Sequence, residues 1–197
     1  TLRSSERLHG GGVGTTKSLV GQGAMVRVTD VQDEAALAIS SKAVRHPRVM
    51  LHLGGYQAAD FSWAELVVLN PGVPPNGSEI KKLLAQKDHP VIANELTLFL
   101  QRCPAPTIGI TGTRGKTSTT LLVTHILKTA NKRVVASGNV RQEVMLSVLP
   151  RLTSHDIVVL ELSSFQLDLL PIIVKSVQTA VMTNLHVDHL TRHRTMK

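Results

Sequence analysis

Short apolar runs alternate along the chain with longer segments in which apolar residues recur every three or four positions. The short runs predict strands, the first four being "AMVRVTD" (24–30), "RVMLHL" (48–53), "ELVVLN" (65–70) and "PVIAN" (90–94). Between or after them, helices are predicted near 14–23, 77–87 and 94–102. Strands that alternate with helices are typical of a parallel sheet with crossover helices, so the pattern predicts an α/β fold.

The alternation stops at "RCPAP" (102–106), whose two prolines disfavour a continued helix, and then begins again. Further strands are predicted at 107–111, 133–137, 156–162 and 177–184, and further helices at 116–130 and 141–149. In the first of these helices Leu122, Ile126 and Ala130 recur at four-residue spacing. We therefore predict two domains, residues 1–101 and 107–197, joined by a linker at 102–106.

Both ends of the chain look incomplete. Residues 1–7, "TLRSSER", are polar where a first strand should precede the glycine run, so that strand is expected to be missing or degenerate. The chain stops at "HRTMK", shortly after the fourth strand of the second domain, so we expect only part of that domain. No apolar signal core and no apolar run of the ~20 residues that a membrane helix requires are visible, which favours a cytoplasmic protein without membrane insertion.

Composition narrows the possible partners. The formal net charge of +8 invites a nucleic-acid interpretation. However, the basic residues are scattered in ones and twos, and aromatic residues make up only 3% of the chain, too few for a base-stacking platform. A polyanionic small substrate explains the charge equally well, and we expect no nucleic acid. The single cysteine, Cys103, excludes an internal disulfide framework and fits a reducing compartment.

The stretch "GITGTRGKTSTT" (109–120) joins a predicted strand to a predicted helix. Gly112 and Gly115 let the backbone approach phosphate oxygens, and the free N–H groups of a helix N-terminus attract anions. Lys116 would reach the terminal phosphates of a nucleotide, and the Thr117 hydroxyl would ligate Mg²⁺. The spacing is a variant of the strict phosphate-loop pattern, because Ile110 stands at the first glycine position. A capped glycine turn with a solvated lysine is the alternative.

Two polar clusters follow later strands. Glu161 ends "VVLEL" and would lie beside the phosphate loop, because ligands of open α/β sheets bind at the carboxyl ends of strands. An acidic group there suits Mg²⁺. The segment "TNLHVDHLTRH" (183–193) is expected to place Asn184, Asp188 and His189 at the same sheet edge. His189 is offered for a second metal or phosphate contact. The segment also contains a conceivable zinc set, although its spacing matches no common zinc signature: His186, Asp188, His189 and His193.

The first domain carries a weaker nucleotide signal. "HGGGVG" (9–14) precedes a helix, and Asp30 ends the next strand 20 residues after Gly10. This arrangement imitates the dinucleotide fingerprint, in which the acid binds ribose hydroxyls. It is compatible with NAD, with another nucleotide, or with tight helix–strand packing. Asn70 follows a third strand and would face the same crevice.

Taken together, "GITGTRGKT", "SGNV", "LELSSFQL" and "TNLHVDH" resemble the Mur ligase family, and the resemblance extends in order over nearly the whole chain. It implies an α/β protein with an N-terminal Rossmann-like domain, a P-loop-type ATPase domain that is only partly present, and a C-terminal domain that is absent here. Carried over residue by residue, the ATP site comprises Gly112, Thr113, Arg114, Gly115, Lys116, Thr117 and Ser118. The implied catalytic residues are Lys116, Glu161 and His189. The implied Mg²⁺ ligands are Thr117, Glu161 and His189.

The resemblance also implies substrates and a reaction. The sugar-nucleotide site would comprise Leu8, His9, Gly10, Asp30, Val31 and Asn70, with Asn139 and Ser163 on the muramoyl side. The implied reaction is ATP-dependent addition of D-glutamate to UDP-MurNAc-L-alanine through an acyl phosphate, by a monomer. The chain alone is then expected to be inactive. Two alternatives stay open: a non-catalytic module that binds a nucleotide or UDP-sugar, and an NAD-dependent oxidoreductase.

Overall fold

The computed structural model describes residues 11–73, 77–140, 144–167 and 176–193. The chain divides into two compact units, Thr1–Glu95 and Leu96–Lys197. The predicted linker at 102–106 lies between two elements of the second unit, and the domain boundary placed there stays a prediction. No helix in the described part of the chain is long and apolar enough to cross a membrane.

The first unit consists of two parallel strand pairs with connecting helices. Its elements are α1 (Gly11–Gly21), β1 (Val26–Asp30), α2 (Ala38–Ala43), β2 (Val49–Leu53), α3 (Ala58–Ser62), β3 (Leu66–Leu69), α4 (Ser78–Leu84) and β4 (Val91–Asn94). Strand β1 pairs with β2 and β3 with β4, all in parallel. Val13, Val28, Leu37 and Val44 form a buried cluster that packs α1 and the α2 region onto β1. All four predicted strands are confirmed, while the short helices α2 and α3 were not predicted.

The second unit is a four-stranded parallel sheet. Its elements are α5 (Glu95–Arg102, which begins at the unit boundary), β5 (Thr107–Thr111), α6 (Lys116–Thr129), β6 (Arg133–Gly138), α7 (Met145–Val148), a 3-10 turn (Leu149–Arg151), β7 (Asp156–Glu161), α8 (Ser164–Leu167), β8 (Thr179–Met182) and α9 (Leu190–His193). The strand order is β6-β7-β5-β8. The inner strand β7 is an apolar run with Val158, Val159 and Leu160 fully buried, as expected of a strand covered on both faces.

Helix α6 confirms the predicted helix but not the orientation that its apolar spacing suggests. Leu122 and Ile126 are 58% and 55% exposed, whereas Thr120 and Thr124 are buried. The helix packs on β6 and β7. The side toward the sheet therefore carries small threonines, which allow a close approach, and the Thr124 hydroxyl is satisfied by the Thr120 carbonyl at 2.7 Å.

The start of β7 is fixed by a fully engaged carboxylate. Asp156 accepts hydrogen bonds from the hydroxyl and the N–H of Thr153 at 2.7 and 2.8 Å, and from Arg133 Nε at 3.0 Å. Arg133 is its partner in the β6–β7 register. The Thr153 hydroxyl, then its N–H, and the charge of Arg133 together hold the pKa of Asp156 below its usual value.

Candidate active site

The predicted phosphate loop lies between β5 and α6, as the sequence indicates. Gly112 and Gly115 have φ values of +134° and +81°, in the region that glycine tolerates best. Gly115 is the N-cap residue of α6, so the helix begins at Lys116. The loop therefore delivers its backbone to a helix N-terminus, which is the arrangement that favours anion binding.

Lys116 is held on the loop itself. Its Nζ donates hydrogen bonds to the carbonyls of Gly112 at 2.8 Å and Thr113 at 3.1 Å. These two contacts place the positive charge over the glycine turn. Thr117 and Ser118 lie exposed in the first turn of α6, where their side chains are open to a ligand.

Glu161 lies at the carboxyl end of β7, in register with Ile110 at the end of β5. It is 2% exposed, and its Oε1 accepts a hydrogen bond from Asn139 Nδ2 at 3.1 Å. Asn139 N–H also donates to the Glu161 carbonyl at 2.8 Å. Among the described residues, Glu161 Oε2 is buried without a hydrogen-bond partner. Asn139 is thus next to Glu161, and one carboxylate oxygen remains for a ligand.

Ser163 follows Glu161 by two residues and is engaged locally. Its hydroxyl and N–H both donate to Gln166 Oε1, at 3.0 and 2.8 Å. These bonds close the first turn of α8. The structure therefore gives Ser163 a part in ordering the chain just after Glu161.

His189 lies in the loop after β8 with a left-handed φ of +49°. Its Nε2 is 3.8 Å from Asp188 Oδ2, and its ring lies 4.9 Å from the ring of Phe165. The imidazole is 55% exposed and open to a ligand. The conceivable zinc set is not assembled in the described ranges, where no three His, Cys, Asp or Glu side chains are grouped to hold a metal. His193 instead contacts Ser164 Oγ at 3.0 Å.

In the first unit, Asp30 is the buried polar group at the end of β1. It is 3% exposed, and its Oδ1 accepts from Gln32 N–H at 3.0 Å. Its Oδ2 is buried without a hydrogen-bond partner among the residues described. Burial, and then the negative charge of Asp30, raises the pKa of the nearby Tyr56. The neighbouring Val31 is 61% exposed.

Asn70 forms a turn at the end of β3. Its Oδ1 accepts from Gly72 N–H at 3.1 Å, and its carbonyl accepts from Val73 N–H at 2.8 Å. The predicted site residues Leu8, His9 and Gly10 lie outside the described residues.

The structure adds contacts that the sequence did not predict. Thr183 and Asn184, directly after β8, hydrogen-bond to the phosphate loop about 70 positions earlier, and Thr183 was not singled out. Tyr56 beside Asp30 was also missed. The available signal was the polar pair that follows a predicted strand, but sequence spacing does not reveal which loop such a pair contacts.

The chain is similar in sequence to known proteins. Residues 110–197 match the Mur ligase middle domain. The chain is 41% identical over 190 residues to the UDP-N-acetylmuramoylalanine–D-glutamate ligase of Roseiflexus sp. (strain RS-1), a match that covers 96% of this chain and 40% of that protein. It is 37% identical over 185 residues to the ligase of the same name from Geotalea uraniireducens (strain Rf4), covering 93% of this chain and 40% of that protein.

A solved structure shares the fold. It is the UDP-N-acetylmuramate:L-alanyl-gamma-D-glutamyl-meso-diaminopimelate ligase from Neisseria meningitides, with a TM-score of 0.50 and 18% identity over 91% of this chain and 58% of that one. The predicted α/β fold class is thereby confirmed. The chain spans about 40% of the length of the curated relatives it matches.

Proposed function

Because the chain belongs to the Mur ligase family, we propose that it supplies the nucleotide-binding part of a longer ATP-dependent ligase. This ligase adds D-glutamate to UDP-MurNAc-L-alanine in the synthesis of a peptidoglycan precursor. The substrates are suggested by the names of the curated relatives. The ligase is proposed to be cytoplasmic because its proposed substrate ATP is available there. A monomeric state stays a prediction.

One observation carries the proposal: a half-satisfied buried carboxylate stands beside a lysine-bearing phosphate loop. Glu161 is paired in register with Ile110, two residues before Gly112. Leaving a buried polar atom unpaired is unfavourable by roughly 1–3 kcal/mol. Glu161 Oε2 would hold a divalent cation, and such a cation would neutralise the phosphate charge of a nucleotide on the adjoining loop.

The residues present fit Mg²⁺. Glu161 Oε2 and the Thr117 hydroxyl offer the oxygen donors that Mg²⁺ prefers, and His189 offers an exposed imidazole in the loop after β8. When bound, Mg²⁺ neutralises phosphate charge and stabilises the leaving diphosphate. We propose Glu161 and Thr117 as protein ligands of this ion, and His189 as a contact to a second metal ion or to phosphate.

The proposed reaction has two steps. A carboxylate oxygen of the alanyl group attacks the γ-phosphorus of ATP, the bond to the bridging oxygen breaks, and ADP leaves. The amine of D-glutamate then attacks the resulting acyl phosphate and loses a proton, and the tetrahedral intermediate expels inorganic phosphate. Lys116 and the loop N–H groups stabilise charge on the transferred phosphoryl group, which is where removal of a donor has its largest effect.

The first unit is proposed to hold the sugar nucleotide. Asp30 Oδ2 is buried without a partner among the described residues and accepts hydrogen bonds from a polar ligand. Val31 and Asn70 are proposed to complete this site with Leu8, His9 and Gly10. Asn139 and Ser163 are proposed to contact the muramoyl side.

Phosphate release by the natural full-length protein tests the proposal. The assay contains ATP, Mg²⁺ and UDP-MurNAc-L-alanine, and compares D-glutamate with L-lysine, meso-diaminopimelate and L-alanine. We expect release only with D-glutamate. We expect Lys116→Ala to lower kcat by about 10²–10³-fold or more, because a charge aimed at the transferred phosphoryl group is lost.

The matched control is Lys128→Ala, which removes an exposed lysine from the last turn of the same helix. It should leave kcat within about twofold of the wild type, because surface substitutions away from a site have small effects. No phosphate release with any amino acid, from a folded protein that still binds ATP or UDP-sugar, would contradict the ligase and favour a non-catalytic binding module.

A further inference from the structure

The segment after β8 is attached to the phosphate loop through the side chain of Asn184. Asn184 Oδ1 accepts a hydrogen bond from Arg114 N–H at 3.0 Å, and Asn184 Nδ2 donates to the Arg114 carbonyl at 3.0 Å. The side-chain amide thus pairs with both backbone groups of one loop residue, as a neighbouring strand would. A side-chain amide suits this pairing because it carries a donor and an acceptor on two separate atoms.

Neighbouring contacts reinforce this attachment. The Thr183 hydroxyl donates to the same Arg114 carbonyl at 2.6 Å, and Thr113 N–H donates to the Asn184 carbonyl at 3.1 Å. The Thr113 hydroxyl accepts from His186 N–H at 2.9 Å and lies 3.2 Å from the His186 carbonyl. We call these contacts between residues 113–114 and 183–186 the loop clasp.

Close packing at Gly112 belongs to the same arrangement. A Cβ atom there would overlap Thr183 Oγ1 and would lie 2.8 Å from the Asn184 carbonyl oxygen. The segment is therefore seated directly against the turn that must accept phosphate. Glycine at this position is required for the approach as well as for the positive φ.

The loop clasp determines the orientation of the peptide group between Arg114 and Gly115. In a trans peptide the C=O and the following N–H point in opposite directions. Because the Arg114 carbonyl is held by Thr183 and Asn184, the Gly115 N–H is directed away from the clasp. A loop that binds phosphate through backbone N–H groups depends on such orientation, and fixing it beforehand avoids reorganisation when the ligand binds.

We propose that Asn184 is a positioning residue for the nucleotide: its side-chain amide holds the Arg114 peptide so that the loop is ready to bind phosphate before ATP arrives. The inference rests on the proposed function of this site in binding ATP. It also links two parts of that site, because His189 lies five residues after Asn184 on the same segment. The loop and the proposed metal ligand are thereby held by one piece of chain.

The test measures KM for ATP, KM for UDP-MurNAc-L-alanine, kcat and Tm in the full-length protein. Asn184→Asp keeps the size but replaces the Nδ2 donor with an oxygen facing the Arg114 carbonyl, and Asn184→Ala removes both bonds. Loss of two hydrogen bonds of roughly 1 kcal/mol each corresponds to about a 10–30-fold rise in KM for ATP. KM for the UDP substrate should stay within about twofold, because the first unit is untouched.

Thr183 provides the conservative comparison. Thr183→Ser keeps the hydroxyl and should retain a KM for ATP near that of the wild type, whereas Thr183→Val removes it and should raise that KM. Asn131→Gly is the matched control, since Asn131 is an exposed asparagine with a φ of +57° at the end of α6. That variant should change neither KM.

A KM for ATP that is unchanged in both Asn184 variants would overturn the proposal. So would an equal rise in both KM values with a lowered Tm, because that result describes a purely structural role. If the wild type releases no phosphate, equilibrium binding of ATP replaces KM. Weaker ATP binding in the Asn184 variants then supports the positioning role even though the ligase has failed, and a wild type that binds no ATP overturns both.

Discussion

Asp30 in the first unit and Glu161 in the second are buried carboxylates at the carboxyl ends of parallel strands, and they differ in what surrounds them. Each has one oxygen hydrogen-bonded and one buried without a partner among the described residues. Glu161 is oriented by the side-chain amide of Asn139 and lies in register with the strand that leads into the phosphate loop. Asp30 is oriented by the N–H of Gln32, and its charge acts on Tyr56.

A third carboxylate shows that this half-satisfied state is not general. Asp156 begins β7 and uses both oxygens, one for Thr153 and one for Arg133. It stabilises the start of β7 and leaves neither carboxylate oxygen available for a ligand. We therefore propose that ligands bind at the two strand ends that keep an unused oxygen. The surroundings then suggest a metal–nucleotide complex at Glu161 and hydrogen-bond donors of a sugar nucleotide at Asp30.

Among the variants that test this comparison, the largest effect is expected from Glu161→Gln. The glutamine keeps the shape and can still accept from Asn139, but it loses the charge that the proposed cation requires. We expect kcat to fall by about 10²–10³-fold, comparable to the loss of one strong electrostatic contact in a transition state. Steady-state phosphate release measures it, with Asp156→Asn as the control carboxylate outside the site. Near-normal turnover in Glu161→Gln would contradict the proposal that the strand end at Glu161, unlike the one at Asp30, holds a metal–nucleotide complex.

A smaller and different effect is expected from Asp30→Asn. The substitution replaces an acceptor by a donor against a ligand that donates hydrogen bonds. We expect KM for UDP-MurNAc-L-alanine to rise by about 10–100-fold, since a hydrogen bond to a charged group contributes roughly 1.5–3 kcal/mol. KM for ATP should stay close to that of the wild type. Initial rates over a matrix of both substrate concentrations give the two constants, and equal increases in both would break the comparison.

The smallest effect is expected from Gly138→Ala, which tests how tightly Glu161 is seated. Gly138 has a φ of +94°, and a Cβ there would overlap the Glu161 carbonyl oxygen. Gly54→Ala in the first unit is the matched control, because Gly54 has a φ of +85° with nothing within 4 Å of an added Cβ. Backbone strain is unfavourable by roughly 1–3 kcal/mol at either position, and the overlap adds to it only at Gly138. Urea unfolding should therefore show a greater loss of unfolding free energy for Gly138→Ala than for Gly54→Ala. Equal losses would mean that β7 shifts to accommodate the added Cβ atom.

The sequence predicts best what local signals determine. Strand β5 and the start of α6 agree with the predicted bounds, because an apolar run, a glycine turn and a helix follow one another within a few residues. Helix α2 was missed because its six residues, "AISSKA", show no apolar period. The burial of Thr120 and Thr124 in place of Leu122 depends on how closely α6 approaches the sheet, which spacing along one helix does not reveal.

The candidate site was predictable as a set of residues but not as a set of contacts. Lys116 and Glu161 follow from strand ends and glycines, whereas the bonds from Asn184 to Arg114 join residues 70 positions apart. The amide of Asn139 against Glu161 likewise depends on the register of β6 and β7. Such contacts are set by the order of strands in the sheet, and that order is established only when the chain folds.

Crossed binding titrations test the central claim most directly. Calorimetry of the full-length protein would measure Kd for ATP with Mg²⁺ and for UDP-MurNAc-L-alanine in the wild type, Asp30→Asn and Glu161→Gln. The account predicts that Glu161→Gln weakens only ATP binding, in a way that depends on Mg²⁺, and that Asp30→Asn weakens only the UDP substrate. The assignment of the two strand ends would be contradicted if either variant weakened the binding of both ligands equally. It would also be contradicted if Glu161→Gln weakened only the UDP substrate's binding and Asp30→Asn only that of ATP.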